Sequence, residues 1–271
     1  MSAGASRPQL SIVIPAYNEA RRLPESFARL YDYLRRQPYL SEVIVVDDGS
    51  DDSTASVVRA WMGRWHALRL ISIPHSGKGA AVRAGALAAQ GDWIFFADAD
   101  FSMPVQELTA FSPTEAPDVD VLIASREAPG ARRYGEPFYR HLMGRAFNRL
   151  VQWALTPGIS DTQCGFKRIR RDVALDLFFH QTVEGWGFDV EMLYVTRLRG
   201  YSVREVPVSW YYKSGSKVNP LRDTLTMGID LLTIWRNAQT DAYMRRIVAH
   251  PTLTADRPVS SDTALDTEGT L

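Results

Sequence analysis

The chain has 271 residues, 45% of them hydrophobic, and its 31 Lys/Arg balance 31 Asp/Glu. That length and apolar content suit one large α/β domain with a real core. The balanced charge singles out no class of partner. The single cysteine, Cys164, excludes an intrachain disulfide and fits a reducing compartment. No stretch approaches the ~20 apolar residues that cross a bilayer, and the N-terminus shows no signal-peptide core. The expectation is a soluble or peripheral protein.

Residues 1–8 are small and polar and predict disorder. Residues 10–14 read as a buried strand stopped by Pro15. Apolar residues at helical spacing (Phe27, Leu30, Tyr31, Leu34) predict a helix over 23–36. A β-branched strand follows over 42–47. The run Asp51-Asp52-Ser53 offers an N-cap for a helix reaching about residue 65. Strands over 68–73 and 93–97 enclose an Ala-rich helix over 79–90, and a fifth strand covers 119–124. This alternation predicts a mostly parallel sheet with right-handed crossovers and flanking helices, a Rossmann-like α/β fold. The second half is less regular. Helices are expected over 137–155, 187–199 and 220–236, an extended segment over 202–212, and a disordered polar tail over 250–271.

Two acidic clusters carry the chemistry. Asp47-Asp48-Gly49-Ser50 and Asp98-Ala99-Asp100 each close an apolar strand. Buried strand ends tolerate carboxylates only against something positive or polar, and carboxyl ends of strands form the ligand crevice of an open α/β sheet. In an extended segment, Asp98 and Asp100 project to one side while Ala99 points away. Two hard oxygen ligands so spaced suit Mg²⁺ or Mn²⁺, with phosphate and water completing the shell. The bland alternative is a turn with solvated aspartates. Asp47 could accept from a ribose hydroxyl or a base N–H, or simply cap a turn. The loop Pro15-Ala16-Tyr17-Asn18-Glu19 could line a base pocket. His75-Ser76-Gly77-Lys78-Gly79 precedes the Ala-rich helix, where glycines and a helix N-terminus admit an anion and Lys78 can meet a diphosphate. It has neither the Walker spacing nor Gly-x-Gly-x-x-Gly, which argues against a dinucleotide cofactor. Between Arg126 and Asp172, ten basic residues face four acidic ones. That excess suits either an anion-binding lobe or a solvated basic face, and it carries no nucleic-acid reader motif.

The motifs Ser-Ile-Val-Ile-Pro-Ala-Tyr-Asn-Glu, Val-Val-Asp-Asp-Gly-Ser, Gly-Lys-Gly and Phe-Ala-Asp-Ala-Asp occur in that order. They are followed by Asp161-Thr-Gln-Cys-Gly-Phe-Lys167, Phe188-Asp-Val-Glu191 and Gly215-Ser-Lys217. Over residues 9–240 the chain resembles the family 2 glycosyltransferases of the GT-A fold. Within them it is most similar to the polyprenyl-phosphate enzymes, and to their glucosyl more than their mannosyl branch. The resemblance implies a GT-A domain over 9–240, its nucleotide-sugar half over 9–126 and its acceptor half over 127–240. It implies that Pro15, Tyr17, Glu19, Asp47, Lys78, Asp98 and Lys217 hold the nucleotide sugar, and that Asp98 and Asp100 hold the metal. Arg126 and Arg140 would fix the acceptor phosphate. Asn148, Asp161, Gln163, Asp189 and Glu191 would lie on the acceptor side or orient the sugar. In the pattern Arg140-x-x-x-Gly144-x-x-x-Asn148, glycine stands where the family has serine and offers the acceptor phosphate no hydroxyl.

The implied reaction is inverting, metal-dependent transfer of a hexose, glucose from UDP-glucose above all, to a polyprenyl or dolichyl monophosphate. A phosphate monoester with a second pKa near ~6 is mostly dianionic at neutral pH and needs no strong base. That agrees with the scattered histidines; His75 and His141, though near motifs, read as structural or surface groups. The helix from residue 137, with Phe138, Leu142, Phe147, Leu150 and Trp153, and the helix from 220, with Leu225, Ile229, Leu232 and Trp235, could lie in a membrane interface or face a core. The expected location is cytoplasmic, peripheral at the inner face of the membrane. The alternatives are a soluble phosphorylated acceptor, a GDP-mannose-dependent enzyme of the same kind, or a silent nucleotide-sugar binder.

Overall fold

A computed structural model describes residues 7–212, 220–240 and 242–243. Seven strands form one sheet, in the order β3-β2-β1-β4-β7-β5-β8. They are β1 (Leu10–Ala16), β2 (Ser41–Asp48), β3 (Leu68–Ile73), β4 (Trp93–Phe96), β5 (Val121–Ser125), β7 (Lys167–Arg170) and β8 (Val203–Pro207). β1, β2, β3 and β4 pair in parallel, as do β5 and β8, while β7 runs antiparallel between β4 and β5. A second, two-stranded sheet pairs β6 (Arg132–Tyr134) with β9 (Ser209–Tyr211). One sheet thus draws on both halves of the chain.

The helices follow the apolar spacing. α1 (Leu23–Leu34) buries Phe27 and Leu30 on one sheet face, in a cluster with Ile12, Val43, Phe95 and Phe166. α3 (Lys78–Ala88) and α5 (Arg171–Phe179) cover the other face, around Val13, Ile44, Ile94 and Ile169. Residues along each central strand alternate between these two clusters, which is the two-sided burial a parallel sheet requires. α2 (Thr54–Met62), α4 (Phe138–Ala154), α6 (Phe188–Leu198), α7 (Pro220–Ala238) and a short 3-10 helix (Val105–Phe111) complete the fold.

Several expectations are corrected. β1 does not stop at Pro15 but runs through it, paired to Val46. The ladder to β4 ends at Val13, before the proline, so the missing N–H costs that ladder nothing. The expected N-cap Ser53 makes no side-chain cap; Asp52 accepts from the Thr54 amide instead. The strands β6 and β7, the helix α5 and the 3-10 helix add to the expected elements; β6 and β7 carry no clear apolar periodicity, whereas Val173, Ala174, Leu177 and Phe178 of α5 and Val105, Leu108 and Phe111 of the 3-10 helix are buried at helical spacing. The tail over 250–271, expected to be disordered, falls outside the described residues. Of the N-terminal segment 1–8 only the last two are described, and there Arg7 donates to the Gln90 carbonyl and pairs with Asp92.

Candidate active site

β1, β2 and β4 end at one edge, and the loops after them are stitched together. Asn18, at φ 54°, accepts with its Oδ1 from the Asp51 and Asp52 amides, while its own amide donates to Ser50 Oγ. The Glu19 amide donates to Thr54 Oγ1, and the Glu19 carboxylate pairs with Arg22. Asp47 is buried and accepts from the Ser50 amide. Asp48, part of the first acidic cluster but outside the expected site residues, organises the next loop. Its carboxylate accepts from the Ser76 and Gly77 amides at 2.8 and 3.0 Å and lies 2.9 Å from His75 Nδ1. His75 in turn stacks on Tyr17, ring centroids 4.2 Å apart.

Strand β4 stops at Phe96, so Asp98-Ala99-Asp100 is a turn rather than an extended segment; the Phe101 amide closes it onto the Asp98 carbonyl. Burial alternates along the turn, with Ala99 packed into the core and Asp98 and Asp100 half-buried. Asp100 accepts from the Ser102 amide. Lys78 Nζ sits 2.6 Å from Asp98 Oδ1. Burial would raise the Asp98 carboxyl, but the Lys78 ammonium outweighs it and holds it below its ordinary value. Burial likewise works against the charge on Lys78, and Asp98 with Asp189 overcomes it, so the ammonium is held above its ordinary pKa. A narrow cleft bounded by Pro15, Lys78, Asp98, Gly165, Phe188 and Asp189 opens at this point. A Cβ on Gly165 would meet the Asp98 carboxylate, so a side chain there would push that carboxylate aside.

Among the described residues no three His, Cys, Asp or Glu gather as a metal cage. Two carboxylates flanking Ala99 nevertheless form the partial, all-oxygen donor set that a divalent cation shared with a diphosphate takes. The cation now against Asp98, Lys78, shows that the position accepts positive charge. The residues present therefore fit Mg²⁺ or Mn²⁺. The N-terminus of α3 is less open to an anion than expected, since the Ala80 amide already donates to the Glu184 carbonyl.

On the acceptor side most of the anticipated groups are engaged within the protein. Arg126 grips Asp161 by Nε and Nη2, at 2.7 and 2.9 Å, and its amide donates to the same carboxylate. Burial would raise Asp161, but Arg126 brings its pKa down to about 2. Glu205 fixes Asp161 by accepting from the Ser160 and Asp161 amides. Asp189 accepts from Lys167 Nζ at 2.6 Å. Glu191 is buried and accepts from the Thr182 and Val183 amides and from Tyr243 Oη, so it anchors backbone instead of facing the cleft. Asn148 accepts from Thr162 Oγ1, and Gln163 Nε2 contacts Met227 Sδ. The side chain of Arg140, the whole of Lys217, and the side chains of His141, Leu142, Phe147, Leu150 and Leu225 lie outside the described residues.

Part of the basic excess over 126–172 is met within the protein. Lys167 and Arg168 are buried in β7, Arg168 against the carbonyls of Ser112, Glu115 and Ala116. Arg133 pairs with Glu127 and Glu136, and Arg170 with Asp120 and Asp172. The expected anion lobe thus narrows to a few side chains. Among the described residues, Val151 of α4, Leu155 just past its end and Ile234 of α7 turn inward. Phe138 and Trp153 on α4, and Ile229, Leu232 and Trp235 on α7, are exposed, Trp153 to 85%. No helix among the described residues is long and apolar enough to cross a membrane.

A mostly parallel sheet whose strand ends present an acidic turn and a lysine beside a cleft is the arrangement of a GT-A glycosyltransferase. The chain belongs to glycosyl transferase family 2, whose family model matches residues 11–178. Among curated proteins it is 36% identical to "Dolichyl-phosphate beta-glucosyltransferase ALG5D" of Trichomonas vaginalis over 84% of this chain and 74% of that one. It is 35% identical to the dolichyl-phosphate beta-glucosyltransferases of mouse and human, over 86% of this chain and 79% of each of theirs. Among solved structures, mannosyl-3-phosphoglycerate synthase from Rubrobacter xylanophilus superposes with a TM-score of 0.64 at 20% identity, covering 91% of this chain and 79% of that one. Glucosyl-3-phosphoglycerate synthase from Mycobacterium tuberculosis, in complex with Mn²⁺, UDP and glucosyl-3-phosphoglycerate, gives 0.61 at 20% identity, covering 84% and 78%. These structures share the fold. The chain is a glycosyltransferase.

Proposed function

We propose that this glycosyltransferase moves glucose from UDP-glucose to the phosphate of a dolichyl-type polyprenyl monophosphate at a membrane surface, inverting the anomeric carbon. The observation that carries the reading is Asp98 beside Lys78 at the carboxyl end of β4, in a chain about one-third identical along most of its length to dolichyl-phosphate beta-glucosyltransferases.

The chain's own residues suit each part of that reaction. Pro15 and Asp47, at the ends of β1 and β2, and Tyr17 and Glu19, on the stitched loop after β1, would take the nucleoside, and Asp48 holds the His75–Gly77 loop behind them. Lys78 is placed to meet the diphosphate once Asp98 is otherwise neutralised. A divalent ion held by Asp98 and Asp100 would offset the negative charge that grows on the departing diphosphate. Arg126, its fork fixed by Asp161, presents a rigid guanidinium toward an anionic acceptor, with Arg140 on α4 as its companion. An acceptor phosphate oxygen attacks the anomeric carbon as the bond to the diphosphate breaks on the opposite side. The α-linked donor thus yields a β-linked product, and a dianionic nucleophile requires no proton transfer. The exposed aromatic and aliphatic residues of α4 and α7 favour a lipid acceptor over a soluble one, because patches of that kind on a globular surface mark contact with membrane or protein.

The test is incubation of purified protein with Mg²⁺ or Mn²⁺, polyprenyl phosphate and a panel of nucleotide sugars. Formation of polyprenyl-phosphate glucose from UDP-glucose is the expected result. Activity with every donor but UDP-glucose, or with phosphoglycerate in place of the lipid, overturns the reading.

A further inference from the structure

The segment from Glu184 to Gly187, outside the expected site residues, leads into Phe188 and Asp189 of the cleft lining. Its Glu184 carbonyl accepts from the amide of Ala80, the third residue of α3. The approach is so close that a Cβ on Gly77, at φ 114°, would stand 2.6 Å from that carbonyl. Trp186, 38% exposed, presents its ring 5.2 Å from Lys78 Nζ, with Phe188 at 5.9 Å behind it. Lys78 is therefore held between one carboxylate, Asp98, and two aromatic faces, an arrangement in which the rings contribute attraction to the ammonium.

What holds this segment in place comes from far along the chain. Asp230, on α7, accepts from the Gly187 amide at 2.9 Å. Gly187 admits it only because it lacks a side chain, since a Cβ there would be 2.4 Å from the Asp230 Cβ. Asp230 sits on the inward side of the helix whose outward residues are Ile229, Leu232 and Trp235, while Ile234 anchors the helix in a cluster with Val183 and Val190 on either side of the same segment.

We propose that Trp186 forms a wall of the nucleotide-sugar diphosphate site beside Lys78, and that Asp230 is the positioning residue that holds it there through the Gly187 amide. This deepens the proposed function and rests on it for the identity of the ligand. A rigid, partly exposed indole next to the diphosphate lysine shields that cation from water and strengthens its hold on an anion. A carboxylate accepting a backbone N–H fixes the indole without touching the ligand.

The test uses the full chain and UDP with Mn²⁺ as the probe, read by calorimetry and tryptophan fluorescence, together with KM values for UDP-glucose and for polyprenyl phosphate. Asp230→Ala should weaken UDP binding and raise the donor KM about tenfold, as loss of one well-made hydrogen bond does, leaving the acceptor KM within about twofold. Asp230→Asn keeps an oxygen acceptor and should restore donor binding, the rescue that a general packing role would not give. Trp186→Ala should match Asp230→Ala, and the double variant should be no worse than either, since both act on one wall. Trp186→Phe should abolish the fluorescence change on UDP binding. Unchanged UDP binding in both Asp230→Ala and Trp186→Ala, equal impairment in Asp230→Asn and Asp230→Ala, or a shift in the acceptor KM alone overturns the inference. A wild-type chain that binds no UDP overturns the proposed function itself, so the two failures are distinct.

Discussion

The Lys78 ammonium stands 2.6 Å from Asp98 Oδ1, and each holds the other charged against the effect of burial. The pair joins the start of α3 to the end of β4, two elements on opposite sides of the cleft. If Asp98 holds a divalent ion as proposed, the ion and Lys78 would be alternative partners for one carboxylate, and the lysine would then be free for phosphate.

Removing the metal should stop the reaction. Transfer should fall to background in EDTA and return on addition of Mn²⁺ or Mg²⁺. Asp98→Asn should lower turnover about 10²–10³-fold, the scale of losing one preorganised electrostatic contact, with the circular dichroism spectrum unchanged. Full activity in EDTA would refute the metal.

Gly165→Ala tests the same carboxylate from behind. The added methyl would meet Asp98 Oδ2, the end of a side chain that can swing away, rather than backbone. The fold should survive with nearly unchanged thermal stability. The metal concentration for half-maximal activity should rise roughly 10–100-fold, as when a residue supporting a metal ligand is disturbed. Metal titration of activity alongside thermal unfolding separates the two effects.

The buried pair of Arg126 with Asp161 should make stability depend on acidity. The folded carboxyl titrates at about 2, below its ordinary 3.8. A lowered carboxyl stabilises the fold at pH above its unfolded value, and that contribution, about 2 kcal/mol, is lost as pH falls from about 4 toward 2. Asp161→Asn strands a buried guanidinium and should cost ~3–5 kcal/mol at pH 7. Urea unfolding across pH 2.5–7 should show the difference between wild type and variant shrinking on the acid side only.

Membrane docking should depend on the outward residues of α7. Replacing Ile229, Leu232 and Trp235 by serine removes side chains worth about 1.5–3 kcal/mol each when buried in an apolar phase. Co-sedimentation with anionic vesicles should fall more than tenfold, while UDP binding in solution stays as in wild type. Equal sedimentation of both proteins would move the docking surface elsewhere.

Cys164 should be inert in the folded chain. Burial pushes its thiol up to about 12, and only the thiolate reacts. Labelling by an alkylating reagent at pH 8 should become fast only when denaturant unfolds the protein.

The amino-acid sequence alone determined most of the first half of the fold. Runs such as Val43–Ile44–Val45–Val46 alternate with helical spacing around Phe27 and Leu30, and each run leads directly into its chemistry, Asp47-Asp48 or Asp98-Ala-Asp100. Local signals sufficed because the apolar pattern and the functional group are neighbours along the chain. The tertiary structure alone decided the second half. Lys167-Arg-Ile-Arg170 reads as a solvated basic segment but is the antiparallel strand between β4 and β5, because Asp189, the carbonyls around Ser112 to Ala116, and Asp120 meet its charges. Likewise Arg126 finds Asp161 at a separation of 35 residues and Asp230 finds Gly187 at 43. A buried charge is tolerable only with its partner in place, and partners that far apart are set by how the elements pack, not by any pattern in the residues between them.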